Sequence, residues 1–188
     1  MRFLFAFMLI GALAVGSYAT SVSVATKAYA TDSGVLTNVY FESATAPTST
    51  TPSLVTATTQ PGTTGSTAIA KSGTVYLYST QFTSARDVVA GPWVFDEWAL
   101  SSKSGTMTVT VSVVTSTGTV QTTVASATTP AVATTKGQVA ARLTGIAASI
   151  PADGYIRVAI QPNGDTATLY WGKAQGTNFQ APMSTVSS

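Results

Sequence analysis

The chain has 188 residues, which is enough for one folded core and too few for two full domains. Charged residues make up only 9% of it and the net charge is +2, a balance too small to favour nucleic acid as a partner. There is no His and no Cys, which excludes imidazole acid–base chemistry, thiol nucleophiles, disulfides and the common zinc ligand sets. We therefore expect no catalytic residue, no metal site and no cofactor, and we predict that the chain is not an enzyme.

The first 19 residues are typical of a secretory signal peptide. Met1 and Arg2 are followed by an apolar run of thirteen residues, from Phe3 to Val15. This run is too short for a membrane-spanning helix, which needs about 20 apolar residues. Cleavage is expected after Ala19, and an uncleaved anchor or a pilin leader is the alternative. The mature chain is predicted to be secreted or at the cell surface and to meet a membrane only during export.

Residues 20–42 are predicted to form an N-terminal extension with strand character. Alternate positions of its first part share one face, as expected of a half-buried strand; these are Val22, Val24, Thr26, Ala28 and Ala30. A second strand is predicted over 35–41. Residues 43–66 are rich in Thr, Ser and Pro, which predicts a loop or linker with a short edge strand around 54–56.

Residues 67–188 are predicted to form the core of the fold. Short runs of β-branched and aromatic residues alternate with turn sequences such as Thr117-Gly118 and Asn163-Gly164. Strands are expected over 73–79, 88–100, 106–115, 119–126, 138–143, 154–161 and 166–172, and the Ala-rich stretch 140–148 could hold one helical turn. The pattern predicts an all-β fold, an antiparallel β-sandwich of immunoglobulin-like or jelly-roll type with an N-terminal extension strand.

The segment Trp93-Val-Phe-Asp-Glu-Trp98 is the densest cluster of aromatic and acidic residues. One interpretation is a glycan-binding platform of Trp93, Trp98 and Trp171, with Tyr170 as a further partner; the other is that these rings fill the core. Asp96 and Glu97 cannot act as a glycosidase pair, because adjacent strand residues point to opposite faces.

A calcium site formed by four acidic residues is a weaker hypothesis: Asp96, Glu97, Asp153 and Asp165. The sequence lacks a Ca²⁺-binding loop motif around them. Ordinary turn formation explains Asp153 and Asp165 better. Arg142 and Arg157 are interpreted as solvated or ion-paired positions.

The alternating strand at 20–30 can lie in its own sheet or in that of a neighbouring chain. Insertion into a neighbour is donor-strand complementation, which builds an open head-to-tail filament when it is repeated. Pairing within the same chain is the alternative.

The signal peptide, the alternating segment 21–30 and the late strands 155–160 and 168–172 together resemble secreted archaeal surface filament subunits, such as the thread filaments of thermoacidophiles. The resemblance implies a non-enzymatic β-sandwich that polymerises through its N-terminal strand. We therefore expect an extracellular filament subunit used in adhesion, with other copies of itself and surface glycans as partners and no nucleic acid. A secreted carbohydrate-binding module and a virion or surface-coat subunit are the alternatives.

Overall fold

The computed structural model describes residues 64–79, 81–172 and 178–184 together with the backbone of 35–41 and 54–55. Thirteen strands and no helix occur in these residues. The strands are β1 Val35–Phe41, β2 Leu54–Val55, β3 Thr64–Ile69, β4 Val75–Tyr78, β5 Arg86–Val88, β6 Gly91–Ser101, β7 Thr106–Val114, β8 Val120–Thr128, β9 Gly137–Gly145, β10 Ala148–Ile150, β11 Tyr155–Asn163, β12 Ala167–Gly172 and β13 Asn178–Met183. No helix long and apolar enough to cross a membrane occurs among the described residues.

The strands form two antiparallel sheets, compatible with the predicted β-sandwich. The small sheet has the order β4-β11-β7-β8, and the large sheet holds the other nine described strands. In the large sheet β9 pairs with one edge of β6 along 91–99. The other edge of β6 is shared, because 94–96 pair with β13 and 98–101 pair with β12. The all-β antiparallel prediction is confirmed.

One apolar core, built from residues of both sheets, explains why the strands alternate. Met107, Val109, Val111 and Val113 of β7 are all buried, as their period of two predicts. Across the core, β6 contributes Trp93 and Phe95, and both of these rings stack on Phe179 of β13, with centroids 6.0 and 6.5 Å away. These aromatic contacts join β6 to β13.

The structure differs from the sequence-based expectation in several elements. The Ala-rich stretch 140–148 contains no helical turn: most of it is strand β9, because its alternate residues Ala141 and Leu143 are buried. The single strand expected over 88–100 is two strands, β5 and β6. Strands β3, β10 and β13 had no counterpart among the predictions, and β3 begins at Thr64, just before the expected start of the core.

The N-terminal predictions are described only in part. The strand expected at 35–41 is present as β1, which pairs antiparallel with β13 of the same chain. The short edge strand expected near 54–56 is present as β2 and pairs with β1. The expected signal peptide 1–19 and the alternating residues 20–30, including Val22, Val24, Thr26, Ala28 and Ala30, lie outside the described residues.

Gly145 of β9 provides a test of this packing. A Cβ atom there would collide with Cδ1 and Nε1 of the Trp93 indole, which is buried and cannot swing into solvent. We expect Gly145→Ala to lower the free energy of unfolding by roughly 1–3 kcal/mol, because the core must shift to admit the methyl group. Urea denaturation monitored by Trp fluorescence measures this loss.

Gly137 at the start of the same strand is the matched control. The nearest atom to a Cβ there is 3.9 Å away, so Gly137→Ala should change stability by less than about 0.5 kcal/mol. Equal losses in both variants would contradict the packing explanation.

Candidate functional site

The aromatic and acidic segment of β6 divides between the two faces of the large sheet. Trp93, Phe95 and Glu97 point into the core and are buried, whereas Asp96 and Trp98 are half-buried on the outer face. The prediction that Asp96 and Glu97 point to opposite faces is confirmed. They cannot flank one substrate bond as an acid–base pair.

The three tryptophans predicted as glycan contacts are not brought together on one surface. Trp93 and Trp171 are 1% and 7% exposed and belong to the core, because they occupy inward-facing positions of β6 and β12. They are therefore inaccessible to a sugar in this structure. Trp98 is the one of the three that lies on the outer face.

The outer face of the large sheet carries an aromatic surface around Trp98. Tyr170 of β12 is its direct partner across the strand pair, so the two rings lie on the same face. The ammonium group of Lys136 lies 4.9 Å from the centroid of the Tyr170 ring, a cation–π contact that tethers this lysine to the surface. Sequence reasoning named Tyr170 but missed Lys136, because no local pattern signals a contact between β12 and the loop before β9.

Glu97 is the acidic residue that the described core encloses. Its side chain is 0% exposed, and neither carboxyl oxygen has a hydrogen-bond partner. It pairs with Val139 of β9 on one side, and on its other side the partner of β6 changes from β13 to β12. An isolated charge is very unfavourable in such an environment.

Burial raises the pKa of the Glu97 carboxyl to about 8. The cause is loss of hydration, which penalises the charged form. Among the described residues the other buried polar side chains are Ser and Thr. The sequence feature that indicates this burial is a Glu at an inward-facing position of an alternating strand.

The remaining acidic candidates are scattered. Asp165 follows β11 and forms an ion pair with Lys103 at 3.4 Å, while a hydrogen bond from the Thr166 amide holds the pKa of its carboxyl below the usual range. Asp153 lies in the turn before β11 with φ 63°, and its carbonyl accepts a hydrogen bond from Gln81. No group of three or more acidic side chains that could hold a metal ion occurs in the described ranges.

The fold is similar to one part of the structures of several hydrolases. No known protein family and no curated protein matches the sequence significantly. The structure is similar to a CocE/NonD family hydrolase from Staphylococcus aureus, with a TM-score of 0.65 and 9% identity over 80% of this chain. It is also similar to an aminopeptidase from a marine sediment Thaumarchaeota archaeon, with a TM-score of 0.60 and 8% identity over 80% of this chain. An alpha-amino acid ester hydrolase matches with a TM-score of 0.58 and 9% identity over 79%.

These matches correct two expectations drawn from the sequence. The chain covers 37%, 37% and 36% of the length of the three hydrolases, so the likeness concerns one part of each. The expected function as a filament subunit and the prediction that the chain is not an enzyme are both contradicted, because the solved structures that contain a similar fold are hydrolases. Neither alternative, a carbohydrate-binding module or a coat subunit, is represented among these structures.

The buried Glu97 predicts stability that depends on pH. Its carboxyl has an ordinary pKa of 4.5 and a pKa of about 8 in the folded chain, so the folded state binds more protons between these values. The contribution of Glu97 to the free energy of unfolding is therefore fully present below about pH 4.5. It is lost as the pH rises to about 8, by roughly 5 kcal/mol in total. Glu97→Gln should remove this loss and be more stable than the wild type at pH 9.

Urea denaturation at several pH values between 4 and 9 measures how the free energy of unfolding changes with pH in the wild type and in Glu97→Gln. Asp96→Asn, which changes the adjacent carboxylate on the outer face, is the matched control and should keep the slope of the wild type. A wild-type chain whose stability does not fall over this range would refute a buried, unpartnered carboxyl.

Proposed function

We propose that this chain works in hydrolysis as the β-sandwich part of a hydrolase, and that the groups that cleave the bond lie outside these 188 residues. One observation carries the proposal: about 80% of the chain superimposes on 36–37% of the length of each of three hydrolases, two of which are named for the cleavage of amino acid esters or peptides. Their names make esters and amides of amino acids the favoured substrate class.

The residue composition of the chain supports the proposal that the bond-cleaving groups lie elsewhere. Serine hydrolases generally use a histidine as the base that activates the nucleophile, and the sequence contains none. Cysteine nucleophiles are excluded on the same ground. Glu97 is enclosed by the core and cannot touch a substrate without opening the fold. We therefore assign to the chain the role of binding the substrate or of positioning the catalytic part.

The aromatic surface of Trp98, Tyr170 and Lys136 is the part of the chain that we assign to contact with the catalytic part. Aromatic side chains are enriched where proteins bind one another, and a few of them usually supply most of the binding energy. Here two such rings lie side by side on a rigid sheet, beside a lysine and the carboxylate of Asp96. The core behind them keeps their spacing fixed.

Export is part of the same proposal. The apolar run at 3–15, which follows Arg2, is consistent with a domain that is exported and acts outside the cell membrane. The hydrolase that this chain would serve is then an exported or surface enzyme.

The test is to purify the tagged full-length chain from its native host and assay every size-exclusion fraction. The substrates are p-nitrophenyl acetate for ester cleavage and alanine p-nitroanilide for amide cleavage. We expect hydrolysis to elute with the chain in a complex larger than the monomer. Trp98→Ala should lower the activity that elutes with the chain about tenfold, because a central aromatic contact is worth at least about 1.4 kcal/mol.

Val120→Ala is the control, since Val120 is an exposed apolar residue on the small sheet, and it should leave the activity in place. No hydrolysis in any fraction that contains the chain would overturn the proposal. Hydrolysis by the recombinant chain alone would show that the bond-cleaving groups lie within it.

A further inference from the structure

Arg157 lies on the outer face of the small sheet, within a frame of tyrosines. Its direct neighbours across the strands are Tyr78 of β4 and Ser112 of β7. The carbon of its guanidinium group lies 4.8 Å from the centroid of the Tyr76 ring. Tyr155 lies two residues earlier on β11, and its ring meets that of Tyr78 edge-on at 6.2 Å. We call Tyr76, Tyr78, Tyr155 and Arg157 the tyrosine–arginine cluster.

The guanidinium group is held in place without being neutralised. Its carbon lies over the Tyr76 ring, where a cation is attracted to the face of an aromatic ring. Its Nε atom is buried and has no hydrogen-bond partner. A fixed arginine with free hydrogen-bonding capacity is the arrangement that proteins use to bind planar anions.

No acidic side chain of the described residues neutralises this arginine. The structure describes five acidic residues: Asp87, Asp96, Glu97, Asp153 and Asp165. The ion pair formed within this part of the chain joins Lys103 to Asp165. Lys103 lies on the connection before β7, and Asp165 lies on the connection after β11. Arg157 therefore has no acidic partner among the described residues, in a chain where charges are scarce.

The neighbours of Arg157 limit the kind of anion that fits. The residues registered with it and with Ala159 on the same face are hydroxyl-bearing or aromatic and uncharged: Tyr76, Tyr78, Thr110, Ser112, Thr123 and Ser126. One cation balances one negative charge, so a monoanion fits better than a phosphate dianion. The tyrosine rings favour a ligand with an apolar part beside its anionic group.

We propose that the tyrosine–arginine cluster binds a small organic monocarboxylate, with the carboxylate on the Arg157 guanidinium group and the apolar part against Tyr76 and Tyr155. Two parallel N–H donors of an arginine match the two oxygens of a carboxylate. Tyr76, Tyr155 and Arg157 are half-buried and partly accessible to solvent, whereas Tyr78 is 4% exposed and lies beneath the surface. This site is on the opposite sheet from Trp98 and does not depend on the function proposed above.

Titration of the full-length chain with phenylacetate, followed by chemical-shift changes of backbone amides in NMR spectra, tests the site. We expect saturable shifts in β4 and β11. Arg157→Gln should weaken binding about tenfold or more, because it removes a charge-assisted pair of hydrogen bonds. Arg157→Lys should weaken binding less, because lysine keeps the positive charge but lacks the two parallel N–H donors. Tyr76→Leu should weaken the binding of phenylacetate more than that of acetate, because it removes the ring against which the apolar part of the ligand lies as well as a contact of the guanidinium group.

Arg142→Gln is the matched control, because Arg142 is exposed on β9 of the large sheet. It should bind phenylacetate as the wild type does, and thermal unfolding checks that every variant is folded. The proposal is overturned if the wild type shows no saturable shifts, or if Arg157→Gln and Arg142→Gln bind equally well. Binding of inorganic phosphate as tight as that of phenylacetate would overturn the choice of a monocarboxylate.

Discussion

The rest of the fold depends on the way strand β6 is held between its neighbours. Its N-terminal half is fixed to β13 by the stacking of Trp93 and Phe95 on Phe179, and its C-terminal half is fixed to β12 by backbone pairing. Strand β9 pairs with the opposite edge along 91–99. A strand tied on both edges cannot slip by one residue, since a slip would exchange all its inward and outward side chains. This register places Glu97 inside the core and Trp98 outside it.

The burial of Glu97 destabilises this arrangement. A buried polar group without a hydrogen bond typically destabilises a protein by about 1–3 kcal/mol, and an ionised one by more. The carboxyl therefore stays protonated over a wide pH range, which its raised pKa of about 8 expresses. The surrounding aromatic and aliphatic side chains offset the cost by removing a large apolar area from water. An exterior at low pH would favour the same protonated state.

The two sheets present outer faces of different chemistry. On the large sheet Trp98 and Tyr170 form an aromatic surface suited to a protein contact. On the small sheet Arg157 lies among tyrosines and hydroxyl groups, a setting suited to a small anion. A β-sandwich keeps such surfaces apart because its core separates them, so that each can bind without altering the other. Hydrolases that contain a similar fold extend well beyond the part that this chain matches.

The sequence alone determined the fold class, most of the longer strands and the opposite orientations of Asp96 and Glu97. Each follows from the two-residue period of a strand, which is local information. Strand β13 could not be predicted, because Asn178–Met183 is strand by virtue of its neighbours β1 and β6 rather than by its own pattern. The assignment of Trp171 to the core and the stacking of Arg157 on Tyr76 likewise needed the tertiary structure. Strand pairing joins residues that are distant along the chain, and the alternation of a single strand does not say which of its two faces meets the core.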